Sequence, residues 1–294
     1  MKTITSVSDF RRELQVHKVQ NQSIGFVPTM GALHEGHCSL IKAAKQMNDI
    51  VVLSIFVNPL QFGAGEDYDS YPRELTKDKI RADELGVDII FAPSVQEIYP
   101  RSMYSKLRVE KGVQVLCAKN RPGHFDGVAT VVLKLFHIVE PNRAYFGLKD
   151  AQQVAVIQNM VFDFNVPVEI IACETIREDD GLAVSSRNIN LTKEERMQAP
   201  LLYDSLQQTK QKLEAGNRSS AVLKDEMKSY LLTHTDASID YCEIVTFPEL
   251  EHQDEVSGQI IIAAALQFSN ARLIDNLIVH VKGDKDYVSN DDEI

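Results

Sequence analysis

Residues 26–45 read FVPTMGALHEGHCSLIKAAK, an apolar run, a glycine turn and an amphipathic stretch in that order. Ile24 to Val27 reads as a buried strand, Pro28-Thr29-Met30-Gly31 as a turn, and His34-Glu35-Gly36-His37 as the approach to a helix reaching about Asn48. A helix N-terminus offers unpaired backbone N–H groups and the positive end of the dipole, so this layout suits an anion. Gly31 and Gly36, lacking Cβ atoms, are expected to let backbone approach a ligand, and the two imidazoles can donate to phosphate oxygens. One histidine at a helix start is ordinarily a cap. A zinc-protease pair stands four residues apart, whereas His34 and His37 are three apart with Gly36 between them. Phosphate binding fits the whole stretch best.

Outward from this stretch, the composition narrows the class. A chain of 294 residues suggests one or two domains, and 44% hydrophobic with 25% charged residues is the balance of a soluble globular protein. No apolar run approaches about 18 residues, so no bilayer-spanning helix is expected. Cys38, Cys117, Cys173 and Cys242 form no CxxC pair, which argues against a zinc site and a disulfide scaffold and for a reducing cytoplasm. A formal charge of −11 opposes nucleic-acid binding, whose affinity comes largely from neutralised phosphates. A nucleotide-binding acidic protein must concentrate its cations locally, and Arg121, Lys149 and Arg187 stand in glycine- or serine-rich loops.

Along the chain, Ser6 or Ser8 is placed to cap a helix over 9–16. Strands are expected over 50–57, 87–91, 143–146 and 168–173, alternating with helices over 74–85, 127–139 and from Gly147 to about Phe164, with Arg121 to Phe125 in a loop. An acidic loop carries Glu66, Asp67 and Asp69. This alternation predicts an α/β, Rossmann-like parallel sheet with its ligand crevice at the strand carboxyl ends. Charged helices to about Leu232 and then strands over 241–247, 259–268 and 271–279 predict a smaller C-terminal α+β domain, followed by a charged tail over 284–294. The division is placed at 1–182 and 183–294.

PTMGALHEGH (28–37), FVNPLQF (56–62), RPGHFDGV (121–128), FGLKDAQQ (146–153) and SSRN (185–188) resemble, in that order, the pantothenate synthetase family of the HxGH nucleotidyltransferase superfamily. The resemblance implies ATP-dependent condensation of pantoate with β-alanine through a pantoyl adenylate, in a cytoplasmic homodimer, with Mg2+ accompanying ATP. It implies catalytic roles for His34, His37, Lys149 and Arg187. ATP would be bound by Met30, Gly31, Ala32, Leu33, His34, Glu35, Gly36 and His37, by Gly147, Leu148, Lys149 and Asp150, and by Ile176, Val184, Ser185, Ser186 and Arg187. Gln61 and Gln153 would bind pantoate, Gln61 would also touch β-alanine, and Asn58 and Arg121 are added as substrate-binding residues. Asp150 and Asp78 are the candidate carboxylates for the metal. The C-terminal domain would act as a lid. Val184 departs from a methionine common in the family and Leu148 from a polar residue. HxGH and the serine loop alone would also permit another adenylyltransferase, a nucleotide-sensing binding protein, or a tRNA synthetase fragment.

Overall fold

The computed structural model describes residues 1–63, 66 and 68–282; Asp67 of the acidic loop and the charged tail lie outside the described residues. Two compact units emerge. The first consists of Met1–Val113, Cys117–Leu148 and Val156–Ile176, the second of Gln114–Leu116, Lys149–Ala155 and the chain from Arg177 onward.

The first unit contains β1 (Lys2–Ile4), α1 (Val7–Val19), β2 (Ile24–Thr29), α2 (Glu35–Met47), β3 (Ile50–Ile55), α3 (Leu75–Glu84), β4 (Ile89–Phe91), α4 (Val95–Ile98), α5 (His124–Val139), β5 (Arg143–Gly147) and β6 (Glu169–Cys173). It also holds the part of α6 (Ala151–Asp163) that follows Ala155. All six strands are parallel, in the order β1-β4-β3-β2-β5-β6. The expected Rossmann-like sheet is present. β3 has Ile50 to Leu53 fully buried, as its continuous β-branched and aliphatic run predicts for a strand covered on both faces. Ser6, of the two serines considered, caps α1 by accepting the Asp9 N–H.

Among the differences from the sequence reading, two have a plain physical reason. β1 has three residues and an exposed pattern, too short to leave a periodic signal. α5 begins at His124, three residues before its expected start, because Gly123 at φ 77° turns the chain straight into the helix without a side-chain cap.

Strand order reverses at β2. Its neighbours are β3 on one side and β5 on the other, so chain connections run outward from it in both directions and their loops part at its carboxyl end. That end is Thr29, followed by the HxGH loop. One core cluster fixes it: Leu40, Ile41 and Ala44 of α2 pack with Val27, Val51, Leu53, Ala82 and Ile90. Each valine, leucine or isoleucine among them contributes about 1.5–3 kcal/mol on burial.

In the second unit, α7 (Lys193–Gln198), α8 (Leu201–Glu214) and α9 (Ser220–His234) precede β7 (Ser238–Thr246), β8 (Gly258–Gln267) and β9 (Arg272–Val281). The strands form an antiparallel sheet in the order β7-β8-β9, the small α+β part expected. Leu202, Leu206 and Leu213 of α8 and Leu223, Met227 and Leu231 of α9 share a core with Ile244, Ile260 and Ile262. Among the described residues, no helix is long and apolar enough to cross a membrane.

Candidate active site

The start of α2 is built from its own histidines. His34 is the N-cap, and its Nδ1 accepts the Gly36 N–H at 3.1 Å. His37 Nδ1 in turn accepts the His34 N–H at 3.3 Å, so the two imidazoles close a reciprocal capping box, their ring centres 4.1 Å apart. A nitrogen that accepts a backbone N–H carries no proton. In each neutral ring the proton therefore sits on Nε2, and each imidazole presents an N–H donor on the side away from the cap.

The glycines of this loop make room for neighbouring side chains. A Cβ on Gly36 would lie 2.9 Å from His34 Cε1, so the bare Cα is what lets the ring fold back onto its cap. A Cβ on Gly31, at φ 89°, would lie 2.9 Å from Asp78 Oδ2. Asp78 is 3% exposed, and its two oxygens accept the N–H groups of Ala32 at 3.0 Å and Leu33 at 2.8 Å. It braces a turn in which Ala32 holds φ 51°, a left-handed conformation costly for a residue with a Cβ. Each carboxylate oxygen of this metal candidate thus accepts one backbone N–H. One helical turn on, Arg81 donates to the Leu33 carbonyl at 3.0 Å and to Cys38 Sγ at 2.9 Å, and pairs with Glu35. α3 thus clamps the loop from outside through two charged residues. Charges at i and i+3 on the buried side of a helix were the available sequence signal.

Asn58 and Gln61 lie after β3. Asn58 is 1% exposed and uses its whole hydrogen-bonding capacity within the protein: Nδ2 donates to the Gly127 carbonyl and to Gln61 Oε1, while Oδ1 accepts from Leu60 N–H and Tyr99 OH. It is a support for Gln61. Gln61 is half-buried, with Nε2 3.2 Å from Met30 Sδ. Arg121 is engaged as well. It makes a forked pair with Glu66, Nε to Oε1 at 3.0 Å and Nη2 to Oε2 at 2.5 Å, and that hydrogen bonding holds the Glu66 carboxyl below its usual range. His124 Nδ1 donates to the Gln61 carbonyl at 2.7 Å and Nε2 faces Arg121 Nη1 at 3.2 Å, which makes His124 a loop brace. A cavity of about 180 Å³ opens at the carboxyl ends of β2, β3 and β4, with Met30, Ile55, Phe56, Tyr68, Arg73 and Asp78 in its wall.

In the second unit, Lys149 occupies a single 3-10 turn (Leu148–Asp150) whose Lys149 carbonyl accepts Asn276 Nδ2 at 3.1 Å. Asp150 is exposed, while Lys149 and Gln153 are half-buried. Ser185 caps the 3-10 turn Ser186–Asn190 by accepting the Arg187 N–H at 3.2 Å; Ser186 and Arg187 are exposed and Val184 half-buried. A cavity of about 10 Å³, the size of one water, lies among Lys149, Ser185, Asn188 and Asp275. The turn leading to this loop is bolted down. Arg177 makes a forked pair with buried Asp275, at 2.5 and 2.9 Å, and its guanidinium stacks 3.6 Å from the Tyr203 ring centre. Gln61 belongs to the first unit with Met30 to His37, Gly147 and Leu148, as does Ile176, which is 37% exposed at its end; Gln153 belongs to the second.

The first unit offers N–H donors at a helix start, and the second, taken by itself, a lysine in a turn and a serine-arginine loop; each kind of group is suited to binding phosphate. Residues 2–278 match the family model described as pantoate-beta-alanine ligase. The chain belongs to that family. A pantothenate synthetase of Halalkalibacterium halodurans is 56% identical over 275 residues, 94% of this chain and 97% of that one. The crystal structure of pantothenate synthetase from Thermus thermophilus aligns with a TM-score of 0.87 at 43% identity, covering 96% of this chain and all (100%) of the other. A pantoate-beta-alanine ligase from Francisella tularensis, solved in complex with beta-gamma ATP and beta-alanine, aligns with a TM-score of 0.76 at 38% identity over 95% of this chain and 97% of that chain. As a pantoate-beta-alanine ligase family member the chain is an ATP-dependent ligase, and the residues matched by the family model include its HxGH loop, its FGLKD turn and its serine loop.

Proposed function

We propose that this chain condenses pantoate with β-alanine in two steps. The ionised pantoate carboxylate attacks the α-phosphorus of ATP and pyrophosphate leaves; the amine of β-alanine then attacks the acyl carbon, loses a proton and displaces AMP. The observation that carries this reading is the reciprocal cap of His34 and His37, which fixes both rings at the start of α2 through their Nδ1 atoms. The nucleophile of the first step is already an anion, so positioning and charge neutralisation dominate and no strong base is needed. His37 donates to the charge that develops as pyrophosphate departs, His34 holds phosphate oxygens, and Lys149, Ser185, Ser186 and Arg187 neutralise the remainder of the triphosphate.

Met30 to Leu33, Glu35, Gly36, Gly147, Leu148, Asp150, Ile176 and Val184 complete the proposed ATP contacts, and Gln61 and Gln153 hold pantoate. Magnesium enters on ATP. Among the described residues no group of three or more His, Cys, Asp or Glu side chains could hold a metal ion, which fits a cation carried by phosphates and water with one carboxylate. Exposed Asp150 fits that single position, and the cation would offset charge on the triphosphate. The parts divide their work as the sequence suggests, 1–182 binding nucleotide and pantoate and 183–294 serving as a lid, in a cytoplasmic homodimer. An adenylyltransferase joining AMP to a phosphate is the reading the family match does not favour.

Pantoate-dependent exchange of pyrophosphate into ATP, measured without β-alanine, is the test. His37→Ala is expected to reduce that exchange about 10²–10³-fold with the fold intact. Exchange that proceeds without pantoate, or that survives the substitution, would sink the adenylate route. Gly36→Ala drives its Cβ against the His34 ring, and the expected result is a KM for ATP raised about tenfold with little change in melting temperature. Steady-state kinetics with ATP as the varied substrate check it.

A further inference from the structure

We propose that Tyr99 and Asn58 are positioning residues that turn the amide of Gln61 so that its NH2 group, and not its carbonyl, faces the hydroxy-acid substrate. The inference rests on the reading that pantoate meets Gln61, and it makes Gln61 a reader of an acceptor oxygen, carboxylate or hydroxyl lone pair.

Amide orientations follow here from the backbone outward. The Leu60 N–H can only donate, so the Asn58 atom 3.2 Å from it is Oδ1; the Gly127 carbonyl can only accept, so the Asn58 atom 3.1 Å from it is Nδ2. With Asn58 fixed, Tyr99 OH at 2.9 Å from Oδ1 must be the donor. Burial pushes the Tyr99 phenol up from its ordinary value, so the proton it donates stays in place. The second hydrogen on Asn58 Nδ2 points at Gln61 from 3.1 Å and demands an acceptor there, which is Oε1. The NH2 of Gln61 is then the end directed at Met30 Sδ, 3.2 Å away.

The hydrogens run one way, from Tyr99 to Asn58 to Gln61, and each bond polarises the next. The chain ends on a thioether, a weak acceptor. Exchanging that sulfur for a substrate oxygen, above all an ionised one, replaces a weak hydrogen bond with a charge-assisted one. Asn58, 1% exposed, has no hydrogen or lone pair left with which to permit the opposite orientation.

The test uses the full chain with Gln61→Ala, Gln61→Glu and Tyr99→Phe, measuring KM for pantoate and for ATP, kcat and melting temperature. Gln61→Glu keeps the acceptor that Asn58 needs but turns an oxygen toward the substrate. It is expected to raise KM for pantoate about 100-fold, against about tenfold for Gln61→Ala, with KM for ATP held within about twofold. Tyr99→Phe is expected to raise KM for pantoate about fivefold while kcat stays level, a split that a purely structural role would not produce. Gln61→Glu no worse than Gln61→Ala, or Tyr99→Phe that lowers only the melting temperature, overturns the relay and leaves pantoate at Gln61. Unchanged KM for pantoate in all three variants removes pantoate from Gln61 and the proposal with it.

Discussion

Gly127→Ala is expected to lower the melting temperature by about 5–10 °C and to raise KM for pantoate at least about tenfold. In isolation the change should help, since alanine is favoured over glycine inside a helix by about 1 kcal/mol. Packing reverses the sign. A Cβ at Gly127 would stand 2.2 Å from the Leu60 carbonyl oxygen and 2.6 Å from the Gln61 N, and both are backbone atoms that cannot rotate aside. Either α5 withdraws or the turn Pro59–Gln61 moves, and Asn58 bonds the Gly127 carbonyl directly, so its hold on Gln61 moves too. Overpacking of this kind costs about 1–3 kcal/mol or more. Calorimetry and steady-state kinetics on the purified variant decide it; an unchanged or raised melting temperature would show that α5 does not press on this turn.

Asp78→Ala is expected to reduce pantoate-dependent exchange by about 10² and to cost about 3 kcal/mol of stability. Two buried N–H groups, of Ala32 and Leu33, lose their acceptor, at about 1–3 kcal/mol each when no replacement reaches them. The left-handed turn at Ala32 then relaxes, and with it the direction from which the chain enters α2. Adding Ala32→Gly, which adopts that conformation without strain, should restore part of the lost activity. Raising the Mg2+ concentration should restore none. Recovery with Mg2+ alone would return Asp78 to the metal, and exchange at the parent rate in Asp78→Ala would remove it from the site altogether.

The frame of the molecule was readable because its signals are local. The run Ile50 to Leu53, the strand-turn-helix at residues 24–47 and the change of texture after Arg187 depend on neighbours in the chain, and the sheet, the HxGH helix and the C-terminal α+β part follow from them. What surrounds the HxGH loop was not local. Asp78 reaches Ala32 across 46 positions, Tyr99 reaches Asn58 across 41, and Arg121 reaches Glu66 across 55. A sequence shows that Asn58 can form four hydrogen bonds, but not that the fold engages all of them. Gly36 teaches the same lesson at short range: its spacing marked the motif, while the occupant of the space it leaves, the His34 ring, is a matter of side-chain direction.

The cap shared by His34 and His37 carries a thermodynamic consequence. Side chains that must be gathered from solvent when a ligand arrives cost about 0.5–1.5 kcal/mol each in lost rotamer freedom, and that cost weakens binding. Here both rings are already ordered by the helix they terminate, so their immobilisation belongs to folding and not to association. On the proposed reading, nucleotide affinity at this end of the site is spared that entropy loss. Mutations that loosen the first turn of α2 should act on affinity as an added entropic penalty, even where every contact to the nucleotide can still be made.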